Sequence, residues 1–261
     1  MPVAIVTGAS SGIGRAIAIA FGGEGWDVAI GGRRADRLTE VAGAVEAAGG
    51  KPFVRELDVR DAASIDAFFD AVEADVGVAN AVVANAGMST PGAVHEIPID
   101  RLRTEVETNL LGAILTARRA VVPMLVNDVR GDLVFVTSDA VRNARPRMAT
   151  YAATKAGVEA FARSLGMELE GTGVRCTEVR VGPTLSEFGA GWDLAYVVRL
   201  LPYWQRFGLQ RHGGILQPAD VASAVVTAVL APRGVHIPVI EVQPECPPGE
   251  IAPVTPAGEQ D

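Results

Sequence analysis

Two side chains able to handle a proton stand four residues apart in Tyr151-Ala152-Ala153-Thr154-Lys155. The surrounding apolar spacing is helical, so positions i and i+4 share one face. A free phenol ionises near pH 10, too high for a base at neutrality. An ammonium about 4 Å away, at an effective dielectric near 20, is worth roughly 4 kcal/mol. Each pH unit corresponds to about 1.4 kcal/mol, so a lowering of about two to three units is physically available. The chain has 2 lysines against 21 arginines, and one of the two falls here. A compact ammonium can touch both a phenol and a ribose, where a broad planar guanidinium fits less well.

A second chemical feature follows the first apolar run. Thr7-Gly8-Ala9-Ser10-Ser11-Gly12-Ile13-Gly14 leads straight into a helical pattern. Glycines let a backbone approach a pyrophosphate without a Cβ clash, and the helix start offers unpaired N–H groups. The alternative is a strand-to-helix turn that binds nothing. The second run ends Ile30-Gly31-Gly32-Arg33-Arg34. In a dinucleotide fold this end meets the adenosine ribose, where an acid selects NAD and an arginine accommodates the 2′-phosphate of NADP. Gly31 and Gly32 bring no carboxylate and Arg33 can fork onto a phosphate, which favours NADP(H) over NAD(H). Arg34 stands beside it, although both arginines could be a solvated helix start. Asp36 reads as a cap or first-turn acid. Leu57-Asp58-Val59 and Asn85-Ala86-Gly87 each follow a predicted strand, and either alone could be a turn or cap.

Taken in order, these motifs resemble the short-chain dehydrogenase/reductase family, with its Thr-Gly-x3-Gly-x-Gly turn, Asn-Ala-Gly triplet and Tyr-x3-Lys pair, over residues 1–243. The resemblance implies that Gly8, Ser10, Ser11, Gly12, Ile13 and Gly14 bind the cofactor diphosphate. Asp58 and Val59 would hold adenine, and Asn85, Ala86 and Gly87 would line the cleft. Tyr151 would pass a proton to or from the substrate oxygen while the nicotinamide exchanges hydride at carbon. Lys155, like Tyr151, would also touch the cofactor. Ser138, thirteen residues before Tyr151, matches the substrate-orienting serine, ahead of its neighbours Thr137 and Asp139. Its hydroxyl can stabilise developing charge. Asn109 matches the helix asparagine of the proton relay. Gly182-Pro183-Thr184 departs from the family's Pro-Gly order, leaving Thr184 or Ser186 to meet the nicotinamide, with Thr184 preferred. The implied activity is hydride transfer between NADP(H) and a carbonyl/alcohol pair. The alternatives are an NAD(H)-dependent alcohol dehydrogenase or a catalytically quiet nucleotide-binding scaffold. An epimerase or dehydratase of the longer branch is disfavoured, because it needs a larger C-terminal substrate domain.

Elements to hold these residues recur along the chain. Apolar runs at 3–7, 28–30, 52–57, 81–84, 133–137, 175–181 and 236–242 predict strands. Helical spacing marks 13–21, 37–48, 64–76, 102–124, 151–169 and 220–230. The alternation predicts an α/β Rossmann-type doubly wound parallel sheet of about seven strands with helices on both faces. Residues 185–217, with Trp192, Tyr196, Tyr203, Trp204 and Phe207, are too long for a simple connection and predict a substrate lid or an interface. Beyond 243, a proline-rich acidic stretch predicts a flexible tail.

Composition bounds the partners. The chain has 261 residues, 49% of them hydrophobic, and a net charge of −8. Its basic residues are scattered, which excludes nucleic acid as the expected partner. Cys176 and Cys246 form no metal or disulfide framework, and no metal site is expected. No apolar run approaches the roughly 18 residues of a membrane span. A short apolar start without a basic residue does not resemble a signal peptide, so a cytoplasmic location is expected. The lid's aromatics suggest an apolar small-molecule substrate. His95, His212 and His236 read as packing or surface residues. The resemblance implies a homo-oligomer, tetramer or dimer, joined through helices near 102–125 and 151–170.

Overall fold

A computed structural model describes residues 1–187, 192, 194–209 and 212–249. Seven parallel strands form one sheet in the order β3-β2-β1-β4-β5-β6-β7. They are β1 (Val3–Thr7), β2 (Asp27–Gly32), β3 (Lys51–Glu56), β4 (Ala81–Ala84), β5 (Asp132–Val136), β6 (Arg175–Val181) and β7 (Val239–Val242). Strands β1, β4 and β5 are buried at every position, as expected when helices cover both faces. The predicted start of β7 at 236 is corrected to Val239. Pro238 has no N–H for the ladder, and its carbonyl instead accepts the N–H of Glu178 at 2.9 Å.

One face carries α1 (Gly12–Gly23), α2 (Ala35–Ala48) and α8 (Pro218–Val229), packed through Ile17, Phe21, Leu38 and Val225. The other carries α3 (Ala62–Asp75), α4 (Ile99–Val106), α5 (Gly112–Val126) and α6 (Ala149–Glu168), packed through Phe68, Phe69, Met124 and Phe135. The strand order reverses between β1 and β4, which opens a crevice beyond their carboxyl ends.

Three local differences from the predicted elements bear on the site. The helix predicted over 102–124 starts at Ile99, and a π-helical turn at Glu107–Leu111 joins α4 to α5. The joined helix, Ile99–Val126, is long and apolar enough by composition to cross a membrane. Here it covers the sheet, burying Ala113, Thr116, Ala117, Ala120 and Met124. Strand β5 stops at Val136, and Ser138 caps a 3-10 turn, Asp139–Val141, accepting the N–H of Ala140 at 3.2 Å. Within 185–217 lies a further helix, α7 (Leu194–Arg206), whose stripe Tyr196, Leu200 and Trp204 repeats every four residues.

The stretch after 243 is not wholly free of the fold. A Cβ on Gly182 would lie 3.1 Å from Pro244 Cδ, and one on Gly214 would meet the Glu245 carbonyl at 2.3 Å. Residues 250–261, the rest of the expected tail, lie outside the described residues.

Candidate active site

The crevice is a cavity of about 860 Å³ whose floor is the carboxyl end of the sheet. Its first wall is the turn after β1. Gly8 has φ +65°, and a Cβ there would sit 2.7 Å from Ala86 Cα. A Cβ on Gly14 would sit 2.4 Å from the Gly8 carbonyl. Glycine at both positions is therefore required for the turn to pack against β4, and it leaves a bare backbone cradle facing the cavity. Asn85 ties the same corner together, donating Nδ2 to the Thr7 carbonyl at 3.0 Å. Such a cradle fits a dinucleotide diphosphate.

At the far end, Arg33 lines the cavity and makes no hydrogen bond or ion pair among the described residues. Arg34 donates to Ser10 Oγ, Ser11 Oγ and Glu187. Asp36 lies in the first turn of α2. Asp58 also lines the cavity, but its carboxylate is engaged by Arg60 at 2.5 Å, which holds it below the usual carboxylate range. Val59, Ala86, Gly87, Gly182, Pro183 and Thr184 complete the expected lining, with Ile13 and Gly12 on the turn. The Thr184 hydroxyl donates back to the Gly182 carbonyl at 2.9 Å.

Of the four expected catalytic residues, Ser138, Tyr151 and Lys155 line one side of the cavity, whereas Asn109 is not part of its lining. Tyr151 and Lys155 project from α6, Ser138 from the turn after β5, and Asn109 from the π turn, all buried. Ser138 hydrogen-bonds the Tyr151 phenol. Lys155 Nζ donates to the Val136 carbonyl at 2.8 Å and lies 6.0 Å from the Tyr151 ring centre. The expected lowering of the phenol is not what this arrangement gives. Burial dominates and pushes Tyr151 up to about 12, with Ser138 acting in the opposite direction. Burial likewise pushes Lys155 down to about 8. Asn109 is occupied by the chain: it accepts the Met88 N–H at 2.8 Å and donates to the Met88 carbonyl and Thr154 Oγ1.

Two residues at the site, Arg145 and Glu105, had no distinct sequence signal. Asp139, beside Ser138, is held by a bidentate Arg145 at 2.7 and 2.6 Å, both side chains buried. The Arg145 guanidinium lies 5.9 Å over the Trp204 ring, and both line the cavity. Trp192 donates its indole N–H to the Ser89 carbonyl and Trp204 donates to the Pro146 carbonyl, so the two indoles roof the substrate end. Behind that wall Glu105, fully buried, accepts the Thr90 N–H at 2.9 Å. Burial raises its carboxyl to about 6. Four residues before Asn109, it could only have been found by asking why a carboxylate stands on the inner stripe of α4. Among the described residues no cluster of metal-ligating side chains occurs.

The family model for the short chain dehydrogenase matches residues 2–195. Sulfoacetaldehyde reductase 2 of Chromohalobacter salexigens is 31% identical over 247 residues, covering 93% of this chain and 94% of that protein. Glycine betaine reductase ATRR of Emericella nidulans is 32% identical over 94% of this chain, which spans only 19% of that longer protein. Among solved structures, an alcohol dehydrogenase from Thermococcus sibiricus complexed with 5-hydroxy-NADP superposes with TM-score 0.80 at 30% identity, covering 93% of this chain and 96% of that one. The chain belongs to the short-chain dehydrogenase/reductase family. It is an NAD(P)-dependent oxidoreductase.

Proposed function

We propose that the protein transfers hydride between NADP(H) and a carbonyl/alcohol substrate, with Tyr151 as the general acid/base. The observation that carries this reading is the convergence of Ser138, Tyr151 and Lys155 beside the glycine cradle in one cavity. Gly8, Gly12 and Gly14 would hold the diphosphate, Asp58 and Val59 the adenine end, and Lys155 the ribose next to the nicotinamide. When bound, the cofactor supplies or accepts the hydride at the substrate carbon. In the reductive direction the Tyr151 hydroxyl gives its proton to the substrate oxygen, and Ser138 donates a hydrogen bond to the same atom. Lys155, its proton loosely held and its Nζ beside the Tyr151 ring, is suited to resupply a proton towards the phenol. The two tryptophans exclude water from the reacting carbon.

Arg33 and the absence of a carboxylate at Gly31 and Gly32 support the phosphorylated cofactor. The 5-hydroxy-NADP in the Thermococcus sibiricus complex supports it as well. The name of the Chromohalobacter relative supports a small aldehyde as a first substrate to try. Two unpaired cysteines suit a reducing, cytoplasmic setting. Exposed Leu111, Val122, Leu125, Val126 and Met167 on α5, its preceding turn and α6 support a homo-oligomer joined there. The test is Tyr151→Phe: NADPH oxidation with a panel of small aldehydes and ketones falls by about 10²-fold or more. NADPH binding, followed by reduced-nicotinamide fluorescence, persists. Turnover unchanged in the variant would refute the role.

A further inference from the structure

Residues 183–187 cross the mouth of the cavity as a strap. One end is pinned to Leu216, which donates its N–H to the Pro183 carbonyl at 2.9 Å and accepts the Leu185 N–H at 2.8 Å. The other end comes down on the glycine turn, where a Cβ on Gly12 would lie 3.3 Å from Ser186 Cβ. There Glu187 Oε2 accepts Nη1 of Arg34 at 2.9 Å. Arg34 gives Nη2 to Ser10 Oγ at 2.9 Å and to Ser11 Oγ at 2.7 Å, and Nε to Ser10 Oγ at 3.2 Å. Its guanidinium is thus fixed at the two serine hydroxyls of the turn, with a carboxylate as its anion.

A phosphate ester arriving at this end would seek the same planar fork. It would meet a cation already satisfied and a carboxylate of like charge beside it. Arg33, one residue earlier, also lines the cavity, and the carboxylate its charge acts on is Asp58, which Arg60 already engages.

We propose that Glu187 is a specificity-determining residue that competes with the 2′-phosphate of NADP(H) for Arg34 and so restrains the preference for the phosphorylated cofactor. The inference rests on the reading that this cavity takes NADP(H). Both partners are about half exposed, at 47% and 48%, so the competition is screened by solvent. An exposed pair of this kind shifts an equilibrium by about two- to fivefold.

The test is a fluorescence titration of the purified full chain with NADPH and with NADH, for wild type, Glu187→Gln, Arg34→Gln and the double variant. Glu187→Gln tightens NADPH by about two- to fivefold and leaves NADH essentially unchanged. Arg34→Gln weakens NADPH, and adding Glu187→Gln to it brings no further tightening, because the contested cation is gone. Glu187→Lys, which puts a cation where the carboxylate stood, tightens NADPH more than Glu187→Gln. The inference is overturned if Glu187→Gln leaves NADPH affinity unchanged or weakens it, or if it moves both cofactors equally. Wild type binding NADH more tightly would instead remove the NADP(H) reading. The effect of Glu187→Gln on NADPH would still decide the role of Glu187.

Discussion

Glu105 and Asp139 are both carboxylates taken into the interior, and they meet different partners there. Asp139 has a guanidinium on both oxygens, whereas Glu105 has one backbone N–H and an Oε1 without a hydrogen-bond partner among the described residues. A carboxyl raised by burial from 4.5 to about 6 is favoured in its protonated form by the fold. Its destabilising contribution is therefore absent below pH 4.5 and grows as pH rises through 6. The full penalty, about 2 kcal/mol, is present by pH 8. Glu105→Gln keeps an acceptor for Thr90 and removes the charge. Urea unfolding is expected to show its advantage over wild type growing by about 2 kcal/mol between pH 4.5 and 8. A pH-independent difference would contradict this. For Asp139, Arg145→Met leaves a buried carboxylate without its cation, with the Ser138 hydroxyl still donating to it, and costs about 3–5 kcal/mol. The double variant Asp139→Asn/Arg145→Met recovers most of that loss, a non-additivity that thermal unfolding can measure.

At the level of elements, the glycine turn and the π turn do the positioning. The π turn presents Asn109 inward to hold Met88, and Glu105 on the preceding turn holds Thr90, so one helix face fixes the wall of the substrate end. Such π turns often mark functional sites, since the extra residue re-aims a side chain. Glycines in the chain differ sharply in what they permit. Gly14→Ala places a Cβ 2.4 Å from a backbone carbonyl, so the turn must shift. This overpacking is expected to cost about 1–3 kcal/mol and to abolish NADPH binding. Gly43, exposed within α2, has nothing within 4 Å of its would-be Cβ. Gly43→Ala is expected to stabilise by about 0.5–1 kcal/mol, with cofactor affinity unchanged. The pair of thermal melts and titrations separates a cradle glycine from an ordinary one.

For the molecule as a whole, two hydrophobic layers on one parallel sheet account for the buried core, and the apolar residues outside that core point to assembly. Val122, Leu125 and Val126 remain exposed on α5 although the inner stripe of the same helix is fully used against the sheet. Sedimentation is expected to give a dimer or tetramer. Val122→Glu with Leu125→Glu is expected to shift the population towards monomer, because two charges would be buried without partners. A monomeric wild type would remove the assembly proposal.

The sequence by itself determined the order of the strands along the chain, the glycine turn and the Tyr151–Lys155 pair. Each of these is local: a period of two or of 3.6, a glycine beside a helix start, two side chains one helical turn apart. The helix within 185–217 was less legible, because its stripe Tyr196, Leu200 and Trp204 has one fully buried residue, Leu200, and the helix carries a proline, Pro202. Only the tertiary structure decided the electrostatics. Arg145 meets Asp139 across six residues, and Arg34 meets Glu187 across 153. The direction in which Tyr151 and Lys155 move was also settled there. Adjacency on a helix suggested that the ammonium lowers the phenol, but the fold buries both and turns Nζ to the Val136 carbonyl, so loss of solvent raises the phenol and lowers the ammonium.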